Sequence, residues 1–116
     1  MTGRQQVQML GEDAAAGLLE RKGMRILARN WRTKVGELDL VAMEGSTLVF
    51  VEVKCRVRDQ LYDPALAVDH RKRLRLRRVA EAYLAMEHPR YDDCRFDVVS
   101  VVPGSPVRIR HLVNAF

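Results

Sequence analysis

Residues 37–54 read ELDLVAMEGSTLVFVEVK, two hydrophobic strands joined at Gly45-Ser46. Gly at the first central position suits a two-residue hairpin turn. Centring the hairpin there sets Val41 across from Phe50, Asp39 across from Glu52 and Glu37 across from Lys54. Side chains along a strand alternate between faces, so Glu37, Asp39, Val41 and Met43 are expected to share a face with Leu48, Phe50, Glu52 and Lys54. The opposite face, Val49, Val51 and Val53, is wholly aliphatic. Directly opposed carboxylates with Cβ atoms roughly 5 Å apart repel each other unless something positive lies between them. A divalent cation is the simplest such object.

Outward from the hairpin, the spacing predicts a helix over residues 4–22 stopped by Gly23, with Val7, Leu10, Gly11, Ala14 and Leu18 facing the core and Glu12 beside them. A short strand is expected at 24–28 and a charged turn at 30–36. The hairpin strands span 37–43 and 47–56, and a polar loop follows at 56–64. A second helix starts near Ala65 or Asp69 and runs to Met86, with Leu76, Val79, Ala80, Tyr83 and Met86 buried, and His88-Pro89 ends it. Strands at 95–102 and 107–112, separated by Pro103–Pro106, complete the order α-β-β-β-α-β-β. This is an α/β chain with a mixed β-sheet flanked by helices. No repeat or linker interrupts it, so residues 1–116 are read as one domain.

Composition narrows the function classes. The 116 residues are 47% hydrophobic, enough for an ordinary core. No run approaches the ~18 apolar residues of a membrane span, and the polar start MTGRQQVQ has no signal-peptide pattern. Cys55 and Cys94 stand far apart, which gives neither a disulfide framework nor a paired-cysteine metal spacing, so a reducing cytoplasm is expected. The net charge of +5 and pI near 9.7 favour an anionic partner, nucleic acid above all, with no membrane role.

The chemistry rests on the acidic hairpin. A Glu-x-Lys triplet arises by chance about once in a few hundred residues, and its bland account is an edge strand with a solvated face. The aliphatic face behind it and the Asp39 opposite it argue against that account. Carboxylate oxygens from Asp39 and Glu52 with the Val53 carbonyl form a hard donor set, suited to Mg²⁺ or Mn²⁺. Lys54 lies one pleat beyond Glu52, where it could act on an attacking water or on charge growing at phosphorus. Glu37 is read as a structural ion pair with Lys54, and Glu12 as a further ligand if the first helix covers the hairpin. In HRKRLRLRR at 70–78, six side chains are Arg or Lys, and Arg71, Arg75 and Arg78 share one helical face with Lys72 nearby. They suit a phosphate backbone, as do Arg29, Arg32 and Lys34 just before the acidic strand. His70, His88 and His111 lack zinc-ligand spacing. Trp31 and Tyr62 are read as packing residues, and Asp97 as a strand residue making local hydrogen bonds. No P-loop, dinucleotide fingerprint or nucleophile elbow occurs.

GED at 11–13, RNWR at 29–32, GELDLVA at 36–42, LVFVEVKCR at 48–56, the helix carrying Lys72, RFDVVSV at 95–101 and NAF at 114–116 together resemble the bacterial YraN-like family of uncharacterised proteins. That family is similar in turn to the PD-(D/E)xK nucleases, especially archaeal Holliday junction resolvases. The resemblance implies a restriction-endonuclease-like core, a capacity to dimerise and one metal-dependent site. Matched by position, the helix glutamate of that site is Glu12, the aspartate is Asp39, and the Glu-x-Lys pair is Glu52 and Lys54. Cys55 stands where relatives carry Thr. The function expected is a Mg²⁺- or Mn²⁺-dependent endonuclease acting on DNA, branched or repair intermediates included. The alternative is a non-catalytic nucleic-acid-binding accessory module in repair, recombination or uptake, and RNA is the other candidate substrate.

Overall fold

A computed structural model describes residues 2–55 and 68–116. The predicted loop at 56–64, Tyr62 and the alternative helix start at Ala65 lie outside the described residues. Thr2 opens helix α1 (Gly3–Arg21) with a reciprocal cap: its hydroxyl accepts from the Gln5 N–H while the Gln5 side chain accepts from the Thr2 N–H. Gly23, at φ +92°, ends the helix in a conformation that a Cβ would strain.

The buried row of α1 is Gly11, Glu12, Ala15, Ala16 and Leu19. This corrects the predicted stripe by about one residue: Gly11 stays, but Leu10 is 63% exposed and Glu12 only 3%. The cause is steric. A Cβ on Gly11 would stand 2.8 Å from Cys55 Cβ, so the missing side chain lets α1 settle onto the sheet along its smallest residues. The roll that seats Gly11, Ala15 and Leu19 carries Glu12 inward with them.

Strand β1 (Arg25–Arg32) is longer than expected and pairs antiparallel with β2 (Glu37–Glu44) as far as Arg32↔Glu37, with a bulge between Ile26 and Ala28. Residues 30–32, predicted as the start of the charged turn, are edge strand instead, because a strand with one free edge can leave Arg and Asn in water. Gly45 at φ +59° turns β2 into β3 (Thr47–Cys55), with Glu44↔Thr47 as the closing pair and Val41↔Phe50 in the predicted register.

Asp69 caps α2 (His70–Glu87) by accepting the Lys72 N–H at 2.9 Å. Leu76, Val79, Ala80 and Tyr83 are buried as expected, but Met86 is 64% exposed. The contact row continues from Tyr83 to Glu87, four residues on: the Tyr83 ring meets Trp31 edge-on at 5.2 Å, and Trp31 Nε1 donates to Glu87 at 3.1 Å. Met86 is left on the outer side. His88, in the left-handed region, is the C-cap.

The parallel partner of β3 is β4 (Asp93–Val102), and β5 (Arg108–Leu112) pairs antiparallel with β4. The sheet order is therefore β1-β2-β3-β4-β5, a mixed sheet with a helix on each face. On one face Ala15, Ala16 and Leu19 of α1 pack on Leu40, Val49, Val51, Val53, Val99 and Val101. On the other, Leu76, Val79 and Tyr83 of α2 pack on Val41, Leu48, Phe50, Phe96 and Val98. Among the described residues no helix is long and apolar enough to cross a membrane.

Candidate metal centre

The paired ladder between β2 and β3 is continuous from the turn to Leu40↔Val51. Past that point a side chain takes over from the main chain: the Val53 N–H donates to Asp39 Oδ2 at 2.8 Å. Strict alternation fails here as well, since Leu38 packs in the same α2-side cluster as Val41. The expectation that Glu37 would lie on the Lys54 side is corrected accordingly. Glu37 accepts from Arg32 Nε at 3.1 Å and converges with Asp39 on Glu12. Oxygens of Glu12, Glu37 and Asp39 all lie within 4.8 Å of one another. The end of the hairpin is thus where side chains from α1 and α2, on opposite faces of the sheet, reach one cleft of about 1020 Å³.

Glu52 stands against Asp39 from the α2 side. Its Oε1 lies 2.6 Å from Lys72 Nζ and 3.5 Å from Lys54 Nζ. The Asp39 carboxyl is pushed up to about 8, chiefly by burial and then by the neighbouring Glu52 charge; the Val53 N–H pulls the other way, and Glu12 adds to the rise. Burial drives the Lys54 ammonium below its ordinary value, and Lys72 alongside lowers it further. For Lys72 burial also opposes the charge, yet the bond to Glu52 prevails and holds it above the ordinary lysine value. Of two ammonium groups sharing one carboxylate, the one in closer contact keeps its proton more tightly.

The donor atoms are carboxylate oxygens, with no thiolate or imidazole among Glu12, Glu37, Asp39 and Glu52. That set fits a small hard dication such as Mg²⁺ or Mn²⁺. Crowded, partly buried like charges, one of them already driven toward protonation, supply a reason for a cation to enter. The Val53 carbonyl oxygen and Glu12 Oε1 both face Gln8 Nε2, at 3.5 and 3.4 Å.

The predicted basic residues divide. Arg32, Lys72 and Arg75 line the cleft. Arg29 is exposed and ion-paired to Asp13, Lys34 is exposed in the turn after β1, and Arg71 and Arg78 are exposed along α2. Two participants were not assigned to the site from sequence. Glu37 had a signal, an acid two residues before Asp39; Gln8 had only its spacing of four from Glu12. Asp97 does make the expected local hydrogen bonds, but it is completely buried: it accepts from Arg95 Nε and the Asn114 N–H, and its Oδ2 lies 2.8 Å from His111 Nε2.

Comparison with known proteins gives a consistent result. Residues 11–101 match the family model described as uncharacterised protein family UPF0102. Similar proteins, each described only as a UPF0102 protein, include one from Nitratidesulfovibrio vulgaris, 48% identical over 91% of this chain and 80% of its own length. Another, from Moorella thermoacetica, is 50% identical over 87% of this chain and 83% of its own. A third, from Dictyoglomus thermophilum, is 36% identical over 96% and 97% respectively.

Proposed function

Since this chain belongs to the UPF0102 family of uncharacterised proteins, the YraN-like family, we propose from its site chemistry that it is a metal-dependent endonuclease hydrolysing phosphodiester bonds in DNA. One observation carries the reading: carboxylates from α1, β2 and β3 crowd into a basic-walled cleft, where Asp39 is held near a pKa of about 8 by burial and by its acidic neighbours. A purely structural role would gain nothing from such crowding, which costs stability.

Glu12, Glu37 and Asp39 would hold Mg²⁺ or Mn²⁺, with Glu52 and the Val53 carbonyl completing the donor set. When bound, such an ion supplies Lewis acidity at a phosphoryl oxygen and a more acidic coordinated water. The chain's own residues do the rest. Asp39, tied to the Val53 N–H, keeps β2 and β3 in register at the point where the ladder ends. Lys54, with its ammonium weakened by burial, orients the attacking water or takes its proton. Arg32 and Arg75 on the cleft wall, with Arg71 and Arg78 beyond it and Arg29 and Lys34 on the β1 side, hold the polyanion without reading its sequence. A second copy of the chain as partner belongs to the same proposal.

The test is cleavage of branched, flapped and single-stranded DNA, with RNA in parallel, in Mg²⁺ or Mn²⁺. Wild type should cut, and Asp39→Ala and Lys54→Ala should each lose roughly two or more orders of magnitude in rate. Equal residual cutting by all three proteins would identify a contaminant and end the assignment. The second reading, a non-cutting nucleic-acid-binding module, draws support from Glu52, whose charge is already met by two lysines. It requires salt-sensitive DNA binding that is indifferent to metal and survives Lys54→Ala.

A further inference from the structure

Lys72 is a residue with two masters. The α2 terminus that carries it is fixed on both sides: Asp69 accepts the Lys72 N–H, and Arg73 Nε donates to the Val68 carbonyl at 2.8 Å. From that anchor the side chain enters the cleft and meets Glu52 at 2.6 Å, closer than the 3.5 Å of the strand lysine Lys54. Lys72 lines the cleft together with Glu12, Asp39 and Glu52. A lysine serving only as backbone adhesive would project into solvent, as Arg71 and Arg78 of the same helix do.

We propose that Lys72 is an exchangeable counter-ion of the acidic site: it neutralises Glu52 while the carboxylates are free of metal, and on cation entry it transfers to a non-bridging oxygen of the phosphodiester. This rests on the nuclease reading of the same cleft. A dication bound by Asp39 and Glu52 repels an ammonium held on the same carboxylate, so the two cations compete for Glu52. Lys72 has a flexible four-carbon stem from a helix above the cleft, and its three donors can turn to a new anion. Lys54 starts from β3 itself, inside the ladder, and has less room to move away. The phosphodiester brings the negative charge that the displaced ammonium needs. No bond is made or broken; one ion pair replaces another.

The opposite signs expected of the two effects make the idea testable. Lys72→Met and Lys72→Gln are compared with wild type in the full chain, with Mn²⁺ binding measured by calorimetry without DNA. Loss of the competing ammonium should tighten Mn²⁺ binding by roughly tenfold. Affinity for a duplex oligonucleotide in Ca²⁺ should fall at least as much, while affinity in EDTA changes little, and Lys72→Arg should restore the Ca²⁺-dependent affinity. If wild type binds Mn²⁺ but either folded variant binds it equally or more weakly, counter-ion exchange is wrong while the nuclease reading stands. An equal loss of DNA affinity with and without Ca²⁺ likewise overturns the transfer to phosphate. If wild type takes up no Mn²⁺, the nuclease reading fails and this proposal with it.

Discussion

Asp39 is the residue at which stability and chemistry pull apart. In an unfolded chain its carboxyl titrates near the ordinary aspartate value of 3.8; in the fold it does so at about 8, with burial the largest cause and Glu52 the next. Between those values the folded state binds the extra proton, so this group's contribution is fully present below about pH 4 and is lost as pH rises through about 8. The thermal midpoint of the metal-free protein should therefore carry a downward component over that range. Asp39→Asn should remove that component, and Mg²⁺ should raise the wild-type midpoint more at pH 8 than at pH 5. A metal-free wild type whose midpoint rises across the window relative to Asp39→Asn would contradict the assignment. The meeting of Asp39 with Glu52 was legible in the sequence, because hairpin register is a local property of Gly45-Ser46 and alternation. The fate of Glu37 was not, since it depends on where the ladder stops. The target of Lys72 was hidden too, because periodicity gives the buried face of α2 but not which strand end lies under its first turn.

At the scale of elements, the acidic site depends on how closely α1 sits on β3. Gly11 has no special backbone angle to explain it; its function is contact, since an added Cβ would lie 2.8 Å from Cys55 Cβ and 2.9 Å from Cys55 Sγ. The Cys55 thiol also donates to the Val7 carbonyl at 3.2 Å, which ties the same turn of helix to the strand. Gly11→Ala gains helix propensity of up to about 1 kcal/mol but forces helix and strand apart, and overpacking of this kind costs about 1–3 kcal/mol. The net expectation is a lower urea midpoint, together with weaker Mn²⁺ binding because Glu12 moves with the helix. Cys55→Gly in the same chain should recover part of the Mn²⁺ affinity, although the glycine weakens β3. Full Mn²⁺ affinity in Gly11→Ala would show that Glu12 is not a ligand. The sequence did carry α1 as an element, through its helical spacing and its glycine stop. Its facing was lost because a hydrophobic stripe is a poor guide where the closest contact is made by a residue with no side chain. The extent of β1 was missed for a related reason: charged residues read as turn, and only the free edge of a sheet makes RNWR acceptable as strand.

Across the whole molecule two aspartates lie beside the same sheet, Asp97 fully buried and Asp39 half-buried at the cleft, and their surroundings are opposite. Asp39 faces Glu52 and Glu12; Asp97 faces cations and donors. Arg95 bridges Asp97 to Glu44 of β2, with Nη1 at 2.8 Å from the glutamate, and Lys22 after α1 reaches His111 Nδ1 at 2.8 Å. The network therefore joins the end of α1 to β2, β4 and β5 at a place distinct from the acidic cluster. The Asn114 N–H on Asp97 and the Ala115 N–H on the Phe96 carbonyl bring Phe116 onto Phe96, where Arg73 and Arg77 of α2 lie over the rings. Removing Asp97 takes away the buried acceptor shared by Arg95, which keeps Glu44, and the Asn114 N–H, and it frees the 114–116 segment, a loss of about 1.5–3 kcal/mol, the usual worth of hydrogen bonds to a charged group. Asp39→Asn relieves a buried repulsion instead, and should stabilise the metal-free protein at pH 8 by about 1–3 kcal/mol while abolishing cation binding. Paired urea titrations of Asp97→Ala and Asp39→Asn decide the matter, since burial alone predicts the same sign for both. If both variants lose stability at pH 8 without metal, Asp39 is a structural acid like Asp97, and the cleft has no stored electrostatic strain for a cation to relieve.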